Sequence, residues 1–444
     1  MTLRSLLVTF IMVSVGSGCD ETETEAPALT PEQFLVPEAC SDCHPEHYAD
    51  WTASMHAQAT DDPVFRAMNA RAIEAGAGDF CITCHAPMAV RTGASDGTDL
   101  DAVPSALRGV TCAFCHQVSE VGGDYNNPLS IELDGVMRGG IDDPVHTGAH
   151  VSAYSPLHDR RELESSVMCG SCHDVVNGHG FALERTLEEW RESIFGSPEA
   201  LVRASCGDCH MRSRIAPVAT DSPDRRLHGH MMPGVDVHLS EHPDAERQRA
   251  AVQTELEIAV RSRVCVRGNA SGSEVFVELT NIGAGHAVPS GAGHYRRMWV
   301  ELRAEGPDGA VLLTRDLEAD DAWVMREVLL DEAGQPTDAP WAAVEHESTM
   351  LMPPQAGARP GEHRDFPQLR RYGVAGEIGR VELSLKFRPM PLDLLEDLAA
   401  SGEIAADVPG RAATFTMFDL AWTSAEASEA RLPVYDVEVR CVER

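Results

Sequence analysis

Five times the chain places two cysteines three positions apart with a histidine directly after the second. These are Cys40, Cys43 and His44; Cys81, Cys84 and His85; Cys112, Cys115 and His116; Cys169, Cys172 and His173; and Cys206, Cys209 and His210. Two thiols at that spacing can bond the two vinyl groups on one edge of a haem. The adjacent imidazole then lies under the ring as the proximal iron ligand. Zinc binding and thiol redox chemistry also use C-x-x-C pairs, but neither requires a histidine at the next position. The pattern predicts five covalently attached c-type haems. It uses ten of the thirteen cysteines. Cys19, Cys265 and Cys441 remain. The last two could bridge in an exported protein, but the alternation around them leaves the pairing open, because Cys441 shares a face with Val437 and Val439 while Cys265 opposes Val264 and Val266.

A haem that only carries electrons takes a second axial ligand, and fourteen of the nineteen histidines lie outside the motifs. A helix is expected over 45–57, with Pro45 in its first turn and Tyr48, Trp51 and Met55 on one stripe. At 1.5 Å per residue His56 then stands about 18 Å from His44, so it must reach a haem other than its neighbour's. The stretch 117–168 is rich in Gly, Pro and Asp, has no sustained period, and holds His146, His150 and His158. A long irregular segment in a compact domain usually has a functional reason, and wrapping haems and ligating them is one. His228 and His230 follow the last motif. His286 lies among glycines 283, 285, 291 and 293 and Pro289, which break any strand period. It is expected on a loop, presented to the haem-bearing unit as a distal ligand. Two further helices are expected: one capped by Asp62, from Pro63 to Gly76, and one opened by a capping box of Thr186 and Glu189 ahead of Trp190.

The elements that must position these groups fall into two parts. The 444 residues are 43% apolar but only 5% aromatic, thin for a domain packed by side chains alone, so something else is expected in the interior. Met1 to Arg4 and the apolar run Ser5 to Val15 make a signal peptide over 1–18, too short to span a bilayer. Gly16, Ser17, Gly18 and Cys19 resemble a bacterial lipoprotein signal, with Cys19 carrying the lipid, although Gly16 stands where a bulky residue is usual. The acidic run Asp20 to Glu25 with Pro27 and Pro31 reads as a disordered tether over 19–37. A pentahaem domain is expected over 38–245 and a second domain over 246–444. In the latter Leu256, Ile258, Val260, Val264 and Val266 alternate with polar residues, as do runs near 275, 298 and 381. That suits an antiparallel β-sandwich of about seven strands, with a short helix at 391–400 and no visible catalytic constellation. The net charge of −34 argues against nucleic acid as a partner.

Together the motifs and their neighbours resemble the multihaem cytochromes related to the tetrahaem cytochrome of ammonia oxidisers and to hydroxylamine oxidoreductase. Cys40-Ser41-Asp42-Cys43-His44 with Tyr48, Trp51, Ser54 and His56 carry the likeness. So do His150 and Tyr154 ahead of Cys169-Gly170-Ser171-Cys172-His173-Asp174, then Glu189-Trp190 and Cys206-Gly207-Asp208-Cys209-His210-Met211. The resemblance covers residues 38–240. It implies a mostly helical, loop-rich fold around closely stacked haems, with His56, His150 and His230 as distal ligands. The stretch 285–291 is similar to one in the β domains of some multihaem cytochromes. Five motifs, not four or eight, are a departure. The C-x-x-C-K motif of pentahaem nitrite reductases is missing, and the single lysine, Lys386, lies far downstream. No residue is identifiable as the cross-linking tyrosine of hydroxylamine oxidoreductase.

The expectation is thus an α+β chain, exported and lipid-anchored at the periplasm or cell surface. It would pass electrons between redox protein donors and acceptors through five haems held by His44, His85, His116, His173 and His210, with distal ligands drawn from His56, His150, His158, His230 and His286. The rival expectation is an oxidoreductase acting on a small nitrogen or sulfur compound at a haem with an open iron position.

Overall fold

The computed structural model describes residues 29–145, 148–198, 200–359 and 361–444; Cys19, the expected leader and His146 lie outside the described residues. No helix among the described residues is long and apolar enough to cross a membrane.

Residues 29–245 form short helices and two-stranded ribbons rather than layers. Their longest helix, Pro63–Glu74, starts as its sequence asks: Asp62 caps it by accepting the Phe65 N–H at 2.8 Å, and Pro63 opens the first turn. The helix expected over 45–57 is two pieces, Pro45–Thr52 and Met55–Gln58. Ser54 leaves the helical conformation and becomes a new N-cap, its hydroxyl accepting the Ala57 N–H at 3.2 Å. The expected tether runs too far. Thr30 and Gln33 form a capping box over the helix Pro31–Phe34, and the Leu29 N–H bonds the Ala149 carbonyl at 3.0 Å. The capping box expected of Thr186 and Glu189 does not form. The Asp174 carboxylate accepts the Leu187 and Glu188 N–H groups at 2.7 and 3.3 Å and caps the helix Thr186–Glu192 instead. Thr186 and Glu189 are left free for the loop described below.

The C-terminal part opens with the helix Ala245–Ala259. Leu256 and Ile258, read as strand positions from alternation, lie inside it. Gln248, Val252, Leu256 and Ala259 are its buried side, a spacing of three and four that overrides the apparent period of two. Nine longer strands follow: β1 Val260–Asn269, β2 Gly272–Asn281, β3 Arg297–Glu305, β4 Val311–Arg315, β5 Gln368–Val374, β6 Arg380–Arg388, β7 Phe415–Thr423, β8 Ser428–Leu432 and β9 Val437–Glu443. They form two sheets, ordered β5-β2-β1-β9-β8 and β4-β3-β6-β7, with the short strand Val324–Met325 paired to β3. All these pairings are antiparallel. The sandwich core lies between the sheets. Val264, Val266, Val275, Val277 and Leu279 meet Met298, Val300, Leu302, Val381, Leu383, Leu385 and Phe387 there. The opposite parity of Cys265 puts it on the outer face of its sheet. It is directly in register with Cys441 there, and the two form a disulfide.

The two parts share a surface. Val64 and Ala67 of the helix Pro63–Glu74 pack with Leu394, Leu395 and Leu398 of the helix Leu392–Ala400, which sits where a short helix was expected.

Candidate haem-binding site

Four of the five motifs are helices that end on their histidine: Ile82–His85, Cys112–His116, Ser165–His173 and Cys206–His210. In the first motif a turn over Pro37–Cys40 runs to His44, which opens the helix Pro45–Thr52. Four of the motif imidazoles place Nδ1 against a backbone carbonyl. His44 reaches Val218 at 2.7 Å, His85 reaches Ala59 at 2.9 Å, His116 reaches Arg138 at 2.6 Å and His210 reaches Pro233 at 2.7 Å. A carbonyl can only accept, so Nδ1 carries the proton in each and Nε2 keeps its lone pair. That is the tautomer an iron requires.

Metal–nitrogen bonds of about 2 Å, with each nitrogen about 1.1 Å from its ring centre, put two imidazoles on one metal about 6 Å apart. Four motif histidines have such a partner. His44 and His150 are 6.2 Å apart, His173 and His56 6.2 Å, His116 and His230 6.2 Å, and His210 and His286 6.3 Å. His56 thus stands opposite the fourth motif, far from the first. Nδ1 of His230 donates to the His228 carbonyl at 2.8 Å and Nδ1 of His286 to the Ala287 carbonyl at 2.9 Å. Burial is the main cause holding His56 and His286 down to about 4, and it keeps His230 well below the usual range. These are neutral imidazoles, the form that ligates metal. The arrangement fits the haem that the motifs imply. So do the ten motif cysteines, nine of them half-buried and Cys43 exposed, which form no disulfide among themselves.

His158 lies beside the third motif. Its ring centre is 5.7 Å from that of His116, but its Nε2 donates to the Cys115 carbonyl at 2.8 Å, on the motif's own backbone. His230 stands 6.2 Å from the same His116 ring, and Nδ1 of His158 is buried without a partner. His85 also differs from the other four. The ring against it is Phe65, parallel at 3.9 Å, and no histidine among the described residues stands opposite.

The loop bearing His286 is fastened to the N-terminal part by the two residues the capping box would have used. Glu189 Oε2 accepts the Ala287 N–H at 2.9 Å, and the hydroxyls of Thr186 and Ser290 are 3.0 Å apart. From behind, Asn281 Nδ2 donates to the His286 carbonyl at 2.7 Å, and Val288 and Leu351 exchange backbone hydrogen bonds at 2.9 and 2.8 Å. A Cβ on Gly285 would sit 3.0 Å from Trp190 Cδ1, so a larger residue there would push the loop off the helix Thr186–Glu192.

Thiol contacts order the motifs in space. The free thiols of Cys40 and Cys112, of Cys84 and Cys172, and of Cys169 and Cys206 lie close enough to interact. Cys115 lies within electrostatic reach of both Cys169 and Cys172. The fourth motif therefore neighbours the second, third and fifth. Sequence reading missed the polar groups around the second motif. Glu184, Asp236 and Tyr295 lie within electrostatic reach of Cys84, His85 and Cys81 respectively. No spacing rule connects positions 184, 236 and 295 with a motif at 81–85.

Residues 39–117, which contain the first three motifs, match the family described as cytochrome c554 and c-prime. A penta-haem cytochrome c552 from Thermochromatium tepidum superposes with a TM-score of 0.61 at 20% identity, over 89% of this chain and 100% of that one. That likeness establishes the shared fold. No curated protein matches the chain.

Proposed function

We propose that this multihaem c-type cytochrome binds five haems covalently and transfers electrons among them. The observation that carries the reading is the set of four histidine pairs spaced 6.2 to 6.3 Å apart. An iron closed on both sides exchanges electrons and takes up no substrate. The haem, when bound, supplies the one-electron chemistry. The protein's share is to hold four of the motif imidazoles in one tautomer through a carbonyl, which also raises their basicity. Through the cysteine contacts it also holds the attachment points side by side. The fourth site then works as a branch with three neighbours, and the first, with Cys43 exposed, exchanges electrons with a partner protein. The acidic surface favours basic partners and repels nucleic acid.

Low-temperature EPR of the oxidised, haem-loaded chain tests this. Four low-spin haems with paired imidazoles are expected, and mass spectrometry should count five haems per chain. Fewer than four low-spin signals would reject the pairing. The acidic stretch after Cys19 and the short apolar run before it support export to the periplasm or cell surface on a lipid anchor. Cys19→Ser should release the protein from membranes; a wild type already soluble after cell disruption would refute the anchor.

A second reading rests on His85 alone. With Phe65 at its ring and no facing histidine among the described residues, the second haem keeps an open iron position. An oxidoreductase of a small nitrogen or sulfur compound would need that position.

A further inference from the structure

The space around the second motif is partitioned. Beside His85, the Ala59 carbonyl holds Nδ1, the Thr60 hydroxyl bonds the His85 carbonyl at 2.7 Å, and the Phe65 ring covers the imidazole. All three come from residues 59–65 and fill the proximal side. A second group arrives from other elements. Glu184 lies on the strand Ala182–Arg185, Asp236 follows the last motif, and His294, Tyr295 and Arg296 lead into β3. Glu184, Asp236 and Tyr295 lie within electrostatic reach of Cys84, His85 and Cys81, so the group lies near both thiols and the imidazole of the motif.

This group has donors to spare. Both ring nitrogens of His294 are buried without a partner, in a residue only 5% exposed. Arg296 uses its terminal nitrogens on the Asp236 carboxylate at 2.7 and 2.6 Å and on the Pro389 carbonyl at 2.8 Å, while its buried Nε has none. Buried polar groups are otherwise nearly always paired, so such a cluster of exceptions needs an explanation. Burial raises the Glu184 carboxyl to about 8, which keeps it a proton-bearing donor at neutral pH.

We infer that His294, Arg296 and Glu184 line a pocket for a small monoanion with several acceptor atoms, bound to the iron attached at Cys81 and Cys84. Asp236 already neutralises Arg296, so the lining offers N–H and O–H donors with little net charge. The iron–porphyrin core of a ferric haem carries one net positive charge, which a monoanion of nitrite or azide size would neutralise in a buried site. Two of the three lining residues come from the C-terminal part, which gives the sandwich a role at a second haem besides that of His286. The inference rests on the open iron position of the second reading.

The test uses the full haem-loaded chain, titrated with azide and with nitrite and followed by EPR and visible spectra. One high-spin haem should be present and should turn low-spin as the anion binds. His294→Phe keeps the ring and its packing on Tyr295, and Glu184→Leu removes the acidic donor. Each should weaken anion binding at least tenfold while the high-spin signal without anion and the four low-spin signals stay unchanged, which also reports correct folding. His294→Gln, which retains a donor, should recover part of the affinity. If His294 is merely a buried ring, His294→Phe leaves the affinity untouched. Unchanged affinity in both variants with one high-spin haem present overturns the pocket alone. Absence of any high-spin haem overturns the open-iron reading, and the pocket with it.

Discussion

The two parts of this chain solve the problem of an interior in opposite ways. Residues 260–444 build two sheets whose facing side chains, from Val264 to Phe387, close a core together with Val237 and the helix residues Val252, Leu256 and Ala259. Residues 29–245 have no such layer. Their helices stop at the motif histidines, and their ribbons have two strands. The cysteines that should be among the most buried residues are half-buried instead. A domain whose filling is a prosthetic group needs few aromatics and little periodicity. What it needs is the attachment points and the backbone carbonyls that aim each imidazole.

The strongest way to break that comparison is to withhold the haem. The unloaded chain should lose most of its ordered structure over 38–245 while the sandwich stays folded, because the apolar cluster from Ile82 to Met168 is small beside the sandwich core. Limited proteolysis should digest the first part and leave a resistant C-terminal fragment. A protected N-terminal part without haem would refute the idea that the groups are its core.

Next in size is the link within the sandwich. The Cys265–Cys441 disulfide closes a loop with a sequence separation of 176. Chain-entropy reasoning puts the loss on removing such a bridge in the range of about 2–5 kcal/mol. The double variant Cys265→Ala with Cys441→Ala should lower the unfolding midpoint of the sandwich and leave the haem spectra as they were. A change in spin state would mean that the outer face of this sheet and the haem sites are coupled more tightly than the fold implies.

How much of this was legible beforehand follows the same division. The motifs name their own chemistry. His56 was expected away from its neighbouring motif on the rise of one continuous helix; that helix breaks at Ser54, yet the His56 ring still stands against His173. The loop position of His286 followed from the glycines around it. The misreadings have physical causes. Leu256 and Ile258 fit alternation and a helix face equally well over so short a run, and the helix wins because Val252 extends the helical spacing. The group at 184, 236 and 294–296 could not be read at all, since it is assembled from three distant segments.

A smaller perturbation tests how the parts are joined at His286. Glu189→Ala removes the acceptor of the Ala287 N–H and should cost about 1–3 kcal/mol, the penalty for a buried donor left unpaired. The loop should then loosen without losing its histidine, so the fifth haem stays low-spin with a shifted spectrum. His286→Ala, by contrast, should turn that haem high-spin. If the two variants give the same spectrum, Glu189 does more than fasten the loop; an unchanged spectrum in His286→Ala rejects the ligand.

The smallest effect is expected where the bonds look strongest. Arg71, on the helix Pro63–Glu74, reaches across to the C-terminal part, where its Nε is 2.7 Å from Glu403 Oε1 and its Nη2 is 3.1 Å from Asp397 Oδ2. The Arg71 guanidinium holds the Glu403 carboxyl down to about 2. That shift overstates the contribution to stability, because the Arg71 and Glu403 side chains keep 31% and 29% exposure and Asp397 keeps 66%. Solvent and salt screen such pairs, and ordering two long side chains costs entropy. Arg71→Ala should therefore destabilise the haem-loaded protein by less than about 1 kcal/mol, and raising the salt concentration should shrink the difference further. The sign with pH is fixed by the depressed carboxyl. Its contribution is fully present above the ordinary value of 4.5 and disappears as pH falls through about 2. The wild type and Arg71→Ala should thus converge in thermal stability in acid and differ slightly at neutral pH. A larger gap at neutral pH that ignores salt would mean that the two parts are held by this ion cluster rather than by Val64, Ala67 and the leucines packed beneath it.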